Sequence, residues 1–277
     1  MSLSSLTELL VPENRICIAD IGASYLEPPP YDALVKNGRA RIIGFEPNMA
    51  ECEKLRQIFG EPHQFFPDFV GRGGPATFHE TSWVYTGSLF KPNQKVGEAF
   101  TGLWETMIPV ADHPVVTVAL DDLLGNEVVD YVKIDVQGGE LAVFEGAERL
   151  LRNTLVIHTE VEFVEMYENQ PLFSDVDQYL RRQGFGLVKF LGPRSGPLRP
   201  CVFGGNVNTG GSQLLWSDAL YIRKILEPEL MDIDQLVRLA LICHDVYQLG
   251  DVCYHLLRDH DRRTGGELAS QYLARLA

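Results

Sequence analysis

The hydrophobic positions of this chain fall into short runs with two different spacings. Residues 16–20, 41–46, 64–66, 131–135 and 155–160 are brief, mostly apolar runs bounded by turn-forming residues, and each predicts a strand. The segments between them carry helical spacing. Asn48 is placed to cap a helix, with Glu51 three residues on as a capping-box partner and Leu55, Ile58 and Phe59 on its buried face. After Gly138-Gly139-Glu140, the positions Leu141, Phe144, Ala147 and Leu151 repeat at helical spacing. Ser174 with Asp177 gives another capping signal, and Gly184 ends that helix. Residues 185–190 and 219–222 read as the last strands, separated by a Gly/Pro/Asn-rich loop over 192–212. Short helices are expected within residues 1–14 and from Tyr31 to Gly38, and a short strand over 115–120. Strands alternating with helices predict an α/β fold with a mostly parallel sheet.

Three stretches break the alternation. Ala23 runs into Pro28-Pro29-Pro30, and consecutive prolines forbid a regular helix because they lack donors and clash with the preceding turn. Residues 71–112 are rich in glycine and aromatic side chains and read as a loop-rich insertion, expected to form a lid or pocket wall. From Pro228 the chain is helical again. Leu236, Leu239, Ala240 and Cys243 form one stripe, Gly250 interrupts, and Val252, Cys253, Leu256 and Leu257 form the next. This predicts a C-terminal helical hairpin that packs on the domain or on a second copy of the chain. The expected division is a main domain over 1–226 and a helical extension over 227–277, with the C-terminal helices as the candidate homo-oligomer surface.

Charge narrows the partners. The net charge of -14 argues against a nucleic-acid partner, since phosphate binders usually show a basic face. No apolar run is long enough to span a membrane, and Met1-Ser-Leu-Ser-Ser has neither a basic segment nor an apolar signal core. The 5 cysteines are scattered, which fits a reducing, cytoplasmic location. Cys243-His244 and Cys253 with His255 lack the paired spacing of a zinc site.

Chemistry concentrates at strand ends. Asp20 closes the first apolar run and Glu46 the second, so two carboxylates emerge at the same edge of a parallel sheet. Open α/β sheets bind ligands at that edge. A carboxylate after the second strand can accept hydrogen bonds from both hydroxyls of a ribose, which points to a nucleoside cofactor. Neither G-x-G-x-x-G nor G-x-x-x-x-G-K-[ST] is present, so a pyrophosphate cradle is poorly supported. S-adenosylmethionine (SAM), with its cationic ammonium and sulfonium, suits a carboxylate-lined cleft better than a phosphate ligand does.

The stretch Val129-Asp-Tyr-Val-Lys-Ile-Asp-Val-Gln-Gly-Gly-Glu140, followed by Leu141 and Gly146-Ala147, resembles the FkbM family of SAM-dependent methyltransferases. The stretch from His158 to Phe163, Gln170-Pro-Leu-Phe173, Asp177, Ser88-Leu-Phe and Leu120-Asp-Asp-Leu123 share the resemblance, which runs from about 16 to 222. It implies a class I, Rossmann-like methyltransferase fold: a seven-stranded, mostly parallel sheet with a final antiparallel hairpin. It also implies O-methylation of sugar or natural-product hydroxyls, with S-adenosylhomocysteine (SAH) as the product cofactor. The family usually continues the first turn as a Gly-rich, Asn-containing loop into a helix, whereas here Ala23-Ser-Tyr-Leu26 leads into three prolines.

On this reading Asp20, Gly22 and Ala23 contact the methionine part of SAM, Glu46 the ribose, and Asn48 and Asp68 the adenine side. Asp135 is the candidate base for a small-molecule hydroxyl acceptor. Glu160 and His158, two apart on the fifth strand, share a face and complete a polar floor. Lys133 is expected to pair with a buried carboxylate. A divalent cation on Asp135, Glu160 and His158 would use the same donors, but no dense ligand motif supports it and no metal is expected. Two rival functions stay open: a non-catalytic, methyltransferase-like binding module, motivated by the Pro-rich first loop, and an NAD-dependent oxidoreductase, disfavoured by the missing glycines. A Ser-dependent hydrolase lacks its G-x-S-x-G elbow.

Overall fold

The computed structural model describes residues 5–9, 12–207 and 209–276; the expectations for residues 1–4, 10, 11, 208 and 277 lie outside the described residues. After a 3-10 turn at Leu6–Glu8, the chain forms β1 (Ile16–Ile21), α1 (Asp32–Lys36), β2 (Ala40–Phe45), α2 (Met49–Phe59), β3 (Gln64–Phe66), β4 (Phe69–Val70) and β5 (Gly74–Thr81). Then come α3 (Gln94–Ala99), α4 (Trp104–Met107), β6 (Pro109–Val118), α5 (Leu120–Leu124), β7 (Tyr131–Ile134), α6 (Glu140–Glu145), α7 (Glu148–Leu151) and β8 (Val156–Glu162). The last elements are α8 (Phe173–Arg182), β9 (Phe185–Gly196), β10 (Gln213–Arg223), α9 (Ile233–Leu241), α10 (Gly250–Thr264) and α11 (Leu268–Leu276).

Seven strands form one sheet in the order β3-β2-β1-β7-β8-β10-β9. The first five in that order are parallel, and β10 runs antiparallel to both β8 and β9. This is the class I methyltransferase topology. Every residue of β1 and β8 is buried, as central strands covered on both faces require. On one face Cys17, Ala19 and Ile21 pack with Val143, Phe144 and Leu180 from α6 and α8. On the other, Ile16, Ile18 and Tyr131 pack with α2 and with Leu236, Leu239 and Leu256 of the C-terminal helices.

Those helices are therefore part of the sheet's cover. Arg238 Nε donates to Asp130 Oδ1 at 2.9 Å, while the Cys17 N–H donates to Asp130 Oδ2 at 2.9 Å, so one buried carboxylate ties α9 to β1. Removing one partner of such a buried pair typically costs about 3–5 kcal/mol. The expected α9–α10 hairpin is joined through a π-helical turn, Ile242–Val246, and followed by a third helix, α11.

The insertion departs from expectation. Residues 71–112 hold β5 and the start of β6, which pair antiparallel in a three-stranded sheet ordered β4-β6-β5. Pro109 and Pro114 make the first half of β6 read as a loop, while its end falls in the strand expected over 115–120. These prolines are tolerated because β4 pairs only with Thr117 and Val118, leaving the Pro114 stretch as an edge on that side. The last hairpin is also longer than expected, since β9 and β10 extend past the main sheet through register shifts. Asn48 does cap α2, accepting from the Ala50 and Glu51 N–H groups, but its own N–H goes to Glu46 rather than to Glu51. α8 starts one residue before Ser174, with the Asp175 carboxylate accepting the Leu172 N–H. The long helix expected after Glu140 is broken at Gly146, where a Cβ would lie 2.2 Å from the Gly71 carbonyl oxygen.

Candidate functional site

The parallel strands deliver their carboxyl ends to one edge. Gly22 follows β1, Glu46 follows β2, Asp68 follows β3, Asp135 follows β7, and Glu160 lies in β8. Gly22 has φ 75°, and a Cβ there would lie 2.0 Å from the Asp135 carbonyl oxygen. Only glycine therefore lets the first turn pass so close to the β7 end.

All five residues line a single cavity of about 1170 Å³. A single-ligand pocket holds roughly 300–1,000 Å³, so this one has room for a nucleoside cofactor and a second molecule. Its outer wall comes from the insertion, including Phe78, Trp83, Tyr85 and Leu103, and from Pro197 and Trp216 near the extended hairpin. The insertion is strapped down by backbone bonds: Asn93 N–H to Met166 O at 2.9 Å, Glu168 N–H to Lys91 O at 2.7 Å and Thr101 N–H to Pro197 O at 3.0 Å.

On one side of the cavity, the Asn48 N–H donates to Glu46 Oε1 at 2.7 Å and orients that carboxylate. Burial pushes the Glu46 pKa up to about 7, partly offset by this hydrogen bond. Ser24 and Leu26 continue the lining, so the Pro-rich first loop leaves the cavity open.

On the other side, Gln137 Nε2 donates to Asp135 Oδ1 at 2.7 Å and to Glu160 Oε2 at 2.9 Å. Glu140 sits behind them, its Oε1 accepting the Val136 N–H at 2.9 Å. Asp135, Glu140 and Glu160 each present an oxygen within 4.8 Å of the others. Burial first, and then the neighbouring carboxylates, hold the Glu160 and Glu162 pKa values well above the usual carboxylate range. Burial likewise pushes Glu140 up to about 7. Burial, and then the neighbouring carboxylates, thus favour the protonated forms of Glu140, Glu160 and Glu162.

Three expected site residues lie outside the cavity lining. Asp20 pairs in register with Lys133, and Lys133 with His158, making a polar row across β1, β7 and β8. That row lies one same-face step, about 6–7 Å, beneath the sheet edge. Asp20 accepts from the Tyr31 hydroxyl and forms an ion pair with Lys133 Nζ at 3.5 Å, the structural role expected for that lysine. Burial works to lower the Lys133 pKa, but Asp20, Asp135 and Asp218 outweigh it and hold it up. His158 shares the Glu160 face as expected, yet its Nδ1 meets the Tyr247 hydroxyl at 2.9 Å and its Nε2 faces Asp218 at 3.5 Å. It joins the sheet to the π-helical turn and does not reach the acceptor space. Ala23 gives its N–H to Phe45 O at 3.0 Å and packs its side chain in the core, so its neighbours Gly22 and Ser24 reach the cavity instead.

Gln137 and Tyr167 were not among the expected site residues. The Tyr167 hydroxyl lies 3.0 Å from Gln137 Oε1 and 2.9 Å from Thr86 O and shares its one hydrogen between them, linking the carboxylates to the insertion. Gln137 lies inside the Asp135–Glu140 run, just before Gly138-Gly139, and has φ 57°. Its position before two glycines was the available signal. Among the described residues, Cys243, His244, Cys253 and His255 form no metal-ligand cluster, and no helix is long and apolar enough to cross a membrane.

Comparison with known proteins agrees with this geometry. The profile of the methyltransferase FkbM domain matches residues 20–187. The 2-O-methyltransferase NoeI of Sinorhizobium fredii is 29% identical over 153 residues, a match covering 50% of this chain and 61% of that protein. A Thermoplasma acidophilum structure assigned as a methyltransferase aligns with TM-score 0.37 at 10% identity, covering 81% of this chain and 76% of that one. A 30S ribosomal A1408 methyltransferase from an uncultured bacterium aligns with TM-score 0.32 at 12% identity, covering 76% of this chain and 88% of that one. The fold assignment rests on strand order rather than on these two scores.

Proposed function

The chain belongs to the methyltransferase FkbM domain family, and from that premise we propose that it is a SAM-dependent O-methyltransferase acting on a hydroxyl of a sugar or similar small molecule. One observation carries the reading: Glu46 and the Asp135–Glu160 pair share one cavity large enough for two ligands. The residues suit the cofactor. Glu46 is held at the end of β2 with its carboxylate oriented for a ribose diol, Gly22 leaves the first turn without a Cβ, and Asn48 and Asp68 line the same end. When bound, SAM supplies an electrophilic methyl group on its sulfonium.

The protein's own part is positioning and proton handling. Asp135 takes the proton of the acceptor hydroxyl as the new C–O bond forms. Glu160 carries a proton beside it, which spares Asp135 a second buried anion and gives the acceptor a donor. Gln137 holds both carboxyls in place. The aromatic wall of the insertion excludes water and fixes the acceptor's approach, and alignment of this kind supplies much of the rate. Asp20 ties Tyr31, beyond the Pro-rich loop, to Lys133 of β7. The name of NoeI, a 2-O-methyltransferase, makes sugar-like secondary hydroxyls the first acceptors to try.

The test is to incubate the protein with methyl-labelled SAM and a panel of glycosides, phenols, amines and carboxylic acids, and to identify the methylated products. Label on a hydroxyl oxygen is expected. Label only on nitrogen or on carboxylates would sink the hydroxyl assignment. SAH binding without any transfer would move the non-catalytic module ahead.

A further inference from the structure

We propose that Gln137 is a positioning residue: its side-chain amide joins Asp135 to Glu160 and fastens the pair to the insertion. The amide nitrogen has two hydrogens, and both are used, one on Asp135 Oδ1 at 2.7 Å and one on Glu160 Oε2 at 2.9 Å. Its oxygen lies 3.0 Å from the Tyr167 hydroxyl, whose one hydrogen is shared with Thr86 O at 2.9 Å. Its backbone carbonyl accepts from Ser88 Oγ at 2.6 Å. Thr86 and Ser88 belong to the insertion, so both ends of Gln137 are tied to it.

In this orientation the NH2 meets two carboxyl oxygens; reversing it would set the amide oxygen against the Asp135 carboxylate. The backbone is fixed too, since φ 57° is a left-handed conformation that residues with a Cβ rarely adopt. A neutral donor between two acids suits a site that must hold one of them ready to accept a proton. It also occupies the space between Asp135 and Glu160 where a bridging cation would otherwise bind. The carboxyls of Asp135 and Glu160 therefore meet through an amide.

This inference takes the acceptor side of the proposed site as its setting, but its test reads titration and not turnover. Loss of SAH binding by the wild type would sink the methyltransferase reading and leave the titration result standing. The groups facing Glu160 are Asp135, Glu162, Glu140 and Asp218, with Tyr167 beside it. In full-length protein carrying 13C-labelled glutamate carboxyls, the Glu160 resonance is assigned by its loss in Glu160→Gln. Removing an N–H donor from a carboxylate disfavours its ionised form, so Gln137→Ala should raise the Glu160 midpoint by about one pH unit. Gln137→Glu keeps the shape but replaces the donor with a like-charged group, and should raise it further. Tyr167→Phe should raise it by less, because that hydroxyl acts only through the amide. Cooperative thermal unfolding establishes that each variant is folded. An unchanged midpoint in folded Gln137→Ala and Gln137→Glu overturns the proposal. An unchanged midpoint in Tyr167→Phe alone overturns the link to the insertion. Manganese(II) titration followed by electron paramagnetic resonance is the second arm. The wild type should show no stoichiometric binding, and one tightly bound ion abolished by Asp135→Asn would overturn the amide's bridging role.

Discussion

The two sides of the cavity are held by bonds of very different reach. On the Glu46 side they are local: Glu46 orients through an N–H two residues away, and Asn48 caps α2 through donors two and three residues away. On the Asp135 side they cross the fold. Gln137 reaches Glu160 over 23 positions, Ser88 reaches Gln137 over 49, and Tyr167 reaches Thr86 over 81. Turn chemistry alone can build the first side. The second exists only once the insertion, β7 and β8 have packed together. A site made this way can keep its cofactor end constant while the insertion changes what is admitted at the other.

Asp135→Asn should separate the two sides most sharply. Labelled-methyl transfer should fall by about 100-fold or more, the range general-base removal covers, while SAH affinity by calorimetry changes little. Full transfer would remove Asp135 as the base. Glu46→Ala should do the converse. Hydrogen bonds to a charged group contribute roughly 1.5–3 kcal/mol each, so losing both ribose bonds should drop SAH affinity about 100-fold or more with the fold retained. Unchanged affinity would reject the ribose role.

Acidity offers a finer cut. Burial holds the Glu46 pKa at about 7 in the free protein, and a ribose diol donates best to the ionised carboxylate. SAH affinity should therefore rise as pH increases from 6 towards 8 and then level off, with a slope of at most about tenfold per unit below 7. Glu46→Ala should flatten that rise. A profile that falls with pH would place the sensitivity elsewhere. The smallest functional effect is expected at His158. His158→Asn should cost about 1–2 kcal/mol in denaturant unfolding, through its lost bond to Tyr247, and leave transfer within about twofold. A large loss of transfer at full stability would return His158 to the catalytic group.

The same contrast explains what the sequence reveals. Glu46 and Asn48 are legible because a strand end followed by a capping residue is a local pattern, and Asp135 because it closes an apolar run. Gln137 shows in the sequence only as the residue before two glycines, since its role depends on Tyr167 and Ser88, which only tertiary packing brings near. His158 shows the limit of face arguments, and Asp20 that of strand-end arguments, since β1 continues past it to Ile21. Alternation places His158 on the same face as Glu160, but it does not say how far below the edge each sits, and about 6–7 Å along the strand separates a floor from a foundation. β5 and the first half of β6 were hidden for a different reason: their prolines read as loop, and only the short reach of β4 makes those of β6 acceptable in a strand.

The most direct test of the whole account is calorimetric titration of the purified, ligand-stripped protein with SAH, with NAD as the comparator. The account predicts saturable one-site binding of SAH and none of NAD. Binding of NAD, or no binding of SAH to the folded protein, would contradict it.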